Sequence, residues 1–520
     1  MSDRLPTGKV PWELVARSLG ALMPEEVVLG PAEGEDAALV RIGGELWAVA
    51  SDPISFTAAD AGRLAVTVNA NDVAVRGGTP RLFLAVVLVA PEEAGQDRVL
   101  EILRQVSESC EDLGVALIGG HTEVTPGLPH SMVVGTMLGR VEGRPLTTGG
   151  LRDGDRVGMT KWAGLEGSSI LLAEFGEQLR RLHGRDSFRE CEGILSGDWL
   201  SVVPEAAVAA AHPAVSALHD VTEGGVGEAL YEMERASGLH IEVERDHIPV
   251  LDETRTICED LGIDPLGLIG SGSLLVGCAP EGCDALTVDL GDAGVSFTWI
   301  GRAAGPARGE ARPVPRFERD EILKAWQLDG IEAVIFDMDG TLIDSEYDWP
   351  AIRRRLGVTA PSIIDELNGL PEAERQAKWR ELEEIERHAT ESARLKSGAP
   401  ELLAVLAECG LATALVTNNT DANTHLLLER FSLDFDVVLT RDSGLWKPSG
   451  APIREAINRL GKQPHRCLAV GDSSYDVDAA HDAGCGRVCV LYGAAALHRD
   501  RADLAFADLD ALIRYVRVVL

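Results

Sequence analysis

The sequence predicts a multidomain chain of mixed α/β and α+β class, and three observations carry that expectation. The 520 residues exceed what one hydrophobic core holds, and ordinary domain sizes imply about three domains. Short apolar runs end abruptly in polar residues beside glycine, the pattern of buried strands whose carboxyl ends carry a site. Segments of helical spacing alternate with these runs, as in Val99, Leu103, Val106, Cys110 and Leu113 behind Pro91. The expected domains are 1–147, 148–327 and 331–520.

Composition narrows the function classes. Hydrophobic residues at 45% and charged residues at 25% are those of an ordinary soluble globular protein. A formal net charge of −35 argues against tracking a nucleic-acid backbone or an anionic membrane, and small anionic substrates would need local Lys, Arg or metal. The longest apolar runs, such as Leu82 to Ala90, are too short to span a bilayer, and the polar N-terminus lacks a signal-peptide core, so a cytoplasmic location is expected. Nine cysteines scattered without CxxC pairing are expected to be reduced core residues.

In chain order, Trp12, Leu14, Val15 and Leu19 give a rough apolar helical face. Gly34-Glu35-Asp36-Ala37-Ala38-Leu39 is a turn feeding a strand, and Leu46 to Ala50 is a strand ending at Ser51-Asp52. Arg63 to Ala74 is an apolar helix carrying Asn69, Asn71 and Asp72, stopped by Gly77-Gly78-Thr79-Pro80. Phe83 to Val89 is a buried strand, Ile118-Gly119-Gly120-His121-Thr122-Glu123 a strand-to-turn junction, and Ser131 to Leu138 a further strand. Any one of these polar junctions could merely cap a turn; Asp36, Asp52, Asn69 with Asp72, and His121 with Glu123 in one domain look like a convergent site.

Together the junctions resemble the family of ATP-using enzymes that includes aminoimidazole ribonucleotide synthetase, thiamine-monophosphate kinase, selenophosphate synthetase and the hydrogenase-maturation carbamoyl dehydratase. Its GDDAA-like turn, strand-end TD, VNxxDxAxxGAxP helix and GG(D/E)T turn read here GEDAA, SD, VNANDVAVRGGTP and GGHTE. Asp155 to Thr160 leads into Lys161-Trp162-Ala163-Gly164, His219-Asp220-Val221-Thr222-Glu223-Gly224-Gly225 matches HDxTxGG, and Asp264-Pro265-Leu266 with Ser271-Gly272-Ser273-Leu274-Leu275 matches DPL…SGxLL. The resemblance covers residues 28–325 and implies an ATP-binding and dimerisation domain followed by a second domain of the same module. It implies that Asp36, Asp52 and Asp72 hold Mg²⁺ on ATP phosphates beside Asn69, and that His121, Glu123 and Asp220 belong to the nucleotide site. Gly119-Gly120 and Gly224-Gly225 would let backbone amides approach phosphate. A homodimer is implied, since the family usually builds its nucleotide site at a dimer interface.

The departures from the family bear on the reaction. His121 stands where the family has Asp or Glu, so either Glu123 substitutes or the metal site is altered. The selenophosphate enzyme uses an N-terminal Cys or selenocysteine loop, whereas the first cysteine here is Cys110 in a helix. The carbamoyl dehydratase works through a cysteine at its C-terminal tail, whereas this module runs into Arg319-Asp320-Glu321. Both chemistries are disfavoured; thiamine-phosphate phosphorylation and amide-type ATP activation stay open.

Pro, Arg and Glu enrich Gly305 to Asp329, a connector with a short helix at Arg319 to Trp326. Then Val334-Ile335-Phe336 ends in Asp337-Met338-Asp339-Gly340-Thr341, and two carboxylates so close need a cation or a shared proton. Ala414-Leu415-Val416 ends in Thr417-Asn418-Asn419, Lys447-Pro448 follows a loop, and Leu468-Ala469-Val470 ends in Gly471-Asp472-Ser473-Ser474-Tyr475-Asp476. This ordered set resembles the haloacid dehalogenase superfamily of phosphatases: a DxDGT strand end, a Ser/Thr strand end, a Lys and a GDxxxD turn. The resemblance covers residues 331–520 and implies a Rossmann-like domain. It implies that Asp337 attacks phosphorus, that Asp339 protonates the leaving oxygen and then activates water, and that Thr417 and Lys447 hold the phosphoryl. Asp337, Asp339, Asp472 and Asp476 are the implied Mg²⁺ ligands. Residues 345–397, with Trp379, Leu382 and Ile385 as an apolar stripe, are expected as a small helical cap. The expected whole is bifunctional: an ATP-dependent module joined to a phosphatase acting on a small phosphorylated substrate such as phosphoglycolate, a sugar phosphate or a nucleotide. A non-catalytic nucleotide-sensing or dimerising module, and a phosphomutase in place of the phosphatase, are the alternatives.

Overall fold

The computed structural model describes all residues except 1–4, 6, 7, 21, 22, 55–59, 197, 307–311, 346, 361 and 494–497. The chain divides into two units, Met1–Cys258 with Ile263–Leu323, and Glu259–Gly262 with Lys324–Leu520. Among the described residues no helix is long and apolar enough to cross a membrane. None of the nine cysteines is in a disulfide and seven are buried, so the reduced-core expectation agrees with the fold.

The first sheet of the first unit comprises β1 (Val27–Leu29), β2 (Ala38–Ile42), β3 (Glu45–Ala50), β4 (Pro53–Ile54), β5 (Gly78–Val89), β6 (Ala116–Val124) and β7 (Met132–Val141). Its order is β1-β2-β3-β7-β5-β6, with β4 on β7. Helix α1 (Trp12–Ser18) precedes the sheet and buries none of its residues, while α2 (Ala61–Val75) and α3 (Gln96–Asp112) pack on it. Leu64, Ala65, Val66, Val68, Ala70, Val73 and Val75 make α2 apolar on all sides, which suits a helix buried all round. It can lie close on β7 because that strand offers glycine: a Cβ on Gly139 would stand 2.1 Å from Val73 Cγ1, and one on Gly135 2.5 Å from Asn69 Nδ2. Helix α2 stops at Arg76, and Gly77 turns the chain with φ +74°.

The second sheet is antiparallel, with β8 (Arg156–Thr160), β9 (Val215–Asp220), β10 (Leu239–Val243), β11 (Leu274–Cys278) and β12 (Phe297–Pro306) in the order β10-β12-β8-β11-β9. Its helices are α4 (Leu165–His183), α5 (Arg189–Ser196), α6 (Val203–Ala211), α7 (Gly225–Ser237), α8 (Asp252–Leu261) and α9 (Cys283–Asp292). Ala74 and Val75 of α2 share a core with Val202, Ala206, Val215 and Leu274, so α2 joins the two layers of this unit.

The second unit holds a parallel sheet of β13 (Ala333–Phe336), β16 (Ala412–Val416), β17 (Val437–Leu439), β18 (Cys467–Gly471), β19 (Arg487–Leu491) and β20 (Leu504–Phe506), ordered β17-β16-β13-β18-β19-β20. Strand order therefore reverses at β13, which places the ends of β13, β16 and β18 at the switch point where open α/β sheets bind ligands. A two-stranded ribbon of β14 (Ile343–Asp344) and β15 (Arg394–Leu395) carries α10 (Trp349–Leu356), α11 (Ile363–Asn368) and α12 (Glu372–Ser392) between its strands. Ile352, Leu356, Ile363, Leu367 and Leu382 form the core of this cap, with Trp379 and Ile385 packed against it. Helices α13 (Ala399–Glu408), α14 (Asp421–Phe431), α15 (Ala451–Leu460), α16 (Ser474–Ala483) and α17 (Leu509–Val519) complete the domain.

Candidate active sites

In the second unit, Asp337 leaves the end of β13 and is nearly buried. Lys447 Nζ donates to Asp337 Oδ1 at 2.5 Å and to Asp476 Oδ1 at 2.6 Å. Thr341 Oγ1 lies 3.2 Å from Asp337 Oδ2 and 3.3 Å from Asp472 Oδ1. Oxygens of Asp337, Asp472 and Asp476 all lie within 4.8 Å of one another. The main-chain amides around Lys447 are fixed too: Asn418 Oδ1 accepts from Lys447 N, and Asn418 Nδ2 donates to Lys447 O. Gly340 has φ +91°, and a Cβ there would stand 2.3 Å from Asp472 Oδ2.

Electrostatics follow from crowding acids in a dry place. Burial, then Asp476, raises Asp337 well above the usual carboxylate range, against the pull of Lys447. Burial and Asp476 push Asp472 up to about 6. For Lys447 burial favours the neutral amine, but Asp337 and Asp476 outweigh it and hold the ammonium. Asp339 stands apart: Ser345 Oγ donates to its Oδ1 at 2.5 Å and Asn419 Nδ2 to its Oδ2 at 3.2 Å, while burial raises its carboxyl. Thr417, buried at the end of β16, accepts from Asn419 N at 3.1 Å.

In the first unit, α2 deploys its polar residues in three ways. Asn69 brackets the main chain of Asp52, accepting from its N at 2.9 Å and donating to its O at 3.2 Å. Asn71 does the same for Leu200 O and Val202 N, both at 2.8 Å. Asp72 faces Asp52, Asp220 and Asp36; burial first, then these acids, raise it well above the ordinary range. Burial likewise raises Asp52 and pushes Asp220 up to about 8. His219 sits between Asp36 Oδ2 at 2.9 Å and Glu232 Oε2 at 3.1 Å; burial would lower it, but the two carboxylates prevail and lift it to about 10. Arg76, fully buried, reaches Glu35 and Asp36 at 2.9 Å. Asp72 Oδ2 and both carboxylate oxygens of Asp220 are buried without a hydrogen-bond partner. A cavity of about 840 Å³ opens on Asp36, Asp52 and Asp72, and Glu166, Glu232, Arg316 and Asp320 also line it.

The structure thus brings Asp337, Lys447, Asp472 and Asp476 together, and separately Asp36, Asp52, Asp72 and Asp220. Three expectations are corrected. The carboxylate of Asp339, expected among the metal ligands, lies outside the three-acid group and is engaged by Ser345 and Asn419. The side chain of Asn69, expected at the nucleotide, is spent on Asp52 and Ala65 O. Gly119, Gly120, His121 and Glu123, expected at a turn, lie inside the edge strand β6, whose nine residues are all exposed, and none of the four lines the cavity. Pairing with β5 keeps this stretch extended, and Gly120 passes so close that a Cβ would meet Ala85 O. Several participants lie in stretches already quoted but were given no role there, namely Thr341, Asn419, Arg76, His219 and Asp320, and Glu166 was not singled out. Asp320 accepts from Gly224 N, Ile269 N and Ile322 N, pinning the turn after β9.

Fold and geometry define a two-module protein in which two carboxylate sites, one per unit, sit at strand and helix ends. Comparison with known proteins supplies the family. The description "AIR synthase related protein" matches residues 34–141 by its N-terminal domain and 152–312 by its C-terminal domain, and "haloacid dehalogenase-like hydrolase" matches 334–490. Carbamoyl dehydratase HypE of Rhodobacter capsulatus is 30% identical over 268 residues, 50% of this chain and 74% of that protein. A putative hydrogenase expression/formation protein of Methanocaldococcus jannaschii is 28% identical over 253 residues, 48% of this chain and 72% of its own. An uncharacterized hydrolase of Saccharomyces cerevisiae is 28% identical over 199 residues, 36% of this chain and 91% of its own. Among solved structures, hydrogenase maturation protein HypE in complex with ATP gives a TM-score of 0.44 at 23% identity, over 52% of this chain and 80% of that one. The chain belongs to the AIR synthase related family, and carries a haloacid dehalogenase-like hydrolase domain after the family's two domains.

Proposed function

We propose that the hydrolase domain cleaves phosphate monoesters through an aspartyl-phosphate on Asp337, and that the first unit binds and uses Mg·ATP. The observation carrying the first part is the Lys447 ammonium held between Asp337 and Asp476 beside Asp472, a cation poised over a nucleophile. Asp337 attacks phosphorus as the bond to the leaving oxygen breaks, and Asp339 gives that oxygen its proton. Water then attacks the acyl phosphate, Asp339 takes a proton from it, and inorganic phosphate leaves. Lys447 and Thr417 hold the phosphoryl oxygens. Three hard oxygen donors within reach of one another fit Mg²⁺, with Asp337, Asp472 and Asp476 as the residues that would hold it. When bound, Mg²⁺ offsets charge on the phosphoryl group and the acids. Sustained release of inorganic phosphate from an ester panel tests this against a phosphomutase. Asp337→Asn should abolish release and leave nucleotide binding intact; full activity in that variant overturns the assignment.

In the first unit, buried acid oxygens without partners at Asp72 and Asp220, beside Asp36 and Asp52, fit a hard divalent cation better than no cation. Arg76, Lys9 and His219 supply positive charge within the same cluster. The bare edge strand β6, with Leu117, Ile118 and Val124 exposed, favours pairing with a second copy. A nucleotide lying between copies would then account for the distance of Gly119, Gly120, His121 and Glu123 from the carboxylates of their own chain. The engagement of Asp36 by both Arg76 and His219 favours a second reading, nucleotide sensing without turnover. ATP hydrolysis or transfer by the Asp337→Asn chain, where the other unit is silent, separates the two.

A further inference from the structure

The cap and the core of the hydrolase domain line an open cavity of about 280 Å³. Its cap wall is Ile364 and Asn368 of α11 with Trp379 and Glu383 of α12; its core wall is Thr420, Arg441, Asp442 and Trp446. None of the reacting groups lines the cavity, but its core wall adjoins them along the chain. Thr420 follows Asn419, which donates to Asp339; Trp446 precedes Lys447, which sits on Asp337; Arg441 donates to Asn418 O, next to Thr417.

Its chemistry is lopsided. Two indoles supply flat apolar surface, and Trp446 is fixed by its Nε1 donating to Asp365 at 2.8 Å. Arg441, the one cation lining the cavity among the described residues, is already paired: Nη1 and Nη2 reach Glu386 Oε1 and Oε2 at 2.5 and 2.6 Å, and its guanidinium lies 4.9 Å from the Trp379 ring centre. Glu383 and Asp442, both exposed, line the wall with no cation paired to them among the described residues, and Asp442 accepts from Asp421 N. Asn368 and Thr420 offer neutral hydrogen-bonding groups. A substrate whose leaving group carries a second acid would meet these carboxylates with no unpaired cation among the described lining residues, an unfavourable juxtaposition.

Resting on the phosphatase reading above, we propose that this cavity receives the leaving group of the ester and selects flat, uncharged or cationic groups over acidic ones. The cavity lies just below the usual range of ligand-site volumes, which suits a small leaving group. The experiment compares kcat/KM of the full chain with Mg²⁺ for pyridoxamine 5′-phosphate, adenosine 5′-monophosphate and 2-phosphoglycolate, with acetyl phosphate as a substrate too small to fill the cavity. The flat esters should exceed phosphoglycolate at least about tenfold, and Glu383→Lys should shrink that ratio by about tenfold while leaving acetyl phosphate turnover unchanged. Preference for phosphoglycolate, or an unchanged ratio in Glu383→Lys with acetyl phosphate still hydrolysed, overturns the proposal alone. Failure to hydrolyse any of the four phosphates overturns the phosphatase reading beneath it.

Discussion

Arg441 and Glu386 make the clearest quantitative test of how the cap is held. Both side chains are 6% exposed and meet through two parallel hydrogen bonds of 2.5 and 2.6 Å, one group on a core loop and the other on α12. Two charges about 4 Å apart at an effective dielectric near 20 attract by ~4 kcal/mol, and removing one partner of a buried pair typically costs ~3–5 kcal/mol. Glu386→Gln keeps the shape but leaves the guanidinium buried against Trp379 and Asn418 O, so a loss of ~3 kcal/mol is expected. Arg441→Met strands the Glu386 carboxylate at similar cost. The double variant Arg441→Met, Glu386→Gln removes both charges and should cost no more than ~1 kcal/mol, against ~6 kcal/mol for the sum of the singles, a coupling of ~5 kcal/mol. Hydrogen exchange of the α12 amides reads cap opening directly, without confusion from unfolding elsewhere. Single variants costing under ~1 kcal/mol that simply add in the double would refute the reasoning, leaving the cap held by its apolar contacts alone.

Asp72→Asn removes one of several crowded buried acids. It should stabilise the metal-free first unit by ~1 kcal/mol while weakening Mg·ATP binding in a calorimetric titration, and unchanged ATP affinity would favour the sensing reading. Gly340→Ala places a methyl on Asp472 at a left-handed backbone position, so phosphate release should fall by more than ~100-fold for a stability cost of ~1–3 kcal/mol; full activity would show that the loop yields. Burial pushes Asp320 up to about 7 against three backbone amides. Its folded value is raised, so the stability it contributes is complete below pH ~4 and lost as pH rises through ~7. The difference in unfolding free energy between the parent and Asp320→Asn should therefore drift by up to ~4 kcal/mol from pH 4 to 8, and a flat difference would refute it.

How far the site could be read from sequence depended on how local each cause is. Asp337, Lys447, Asp472 and Asp476 each sit at the edge of a short apolar run or loop, and parallel strands from one sheet end must converge, so four local patterns sufficed. Helix α2 was legible as a helix, but its three polar residues looked alike. Asn69 and Asp72 are three apart and share a face, whereas Asn71 turns away to Leu200 and Val202; helical geometry sorts them only once the facing element is known. For β6 the glycine pair suggested a turn, and the deciding influence was pairing with β5, some thirty residues earlier in the chain. Glu386 and Arg441 are 55 residues apart with no local signature, so their union could not be foreseen.

The two sites solve one physical problem in different ways, and the difference bears on what each needs from outside. Gathering carboxylates in a dry place raises their proton affinity until a cation intervenes. In the hydrolase domain Lys447 is that cation, bonded to two of the three acids, so the cluster is neutralised in part by its own chain before any metal arrives. In the first unit Arg76 and His219 are both committed to Asp36, and Asp72 and Asp220 retain buried oxygens with no partner. Such oxygens are costly to bury alone, and a fold keeps them where a ligand repays the cost on binding. The stability of the first unit should accordingly depend more steeply on Mg²⁺ and nucleotide than that of the hydrolase domain, which is the behaviour expected of a site whose occupancy, rather than whose turnover alone, carries information to the rest of the protein.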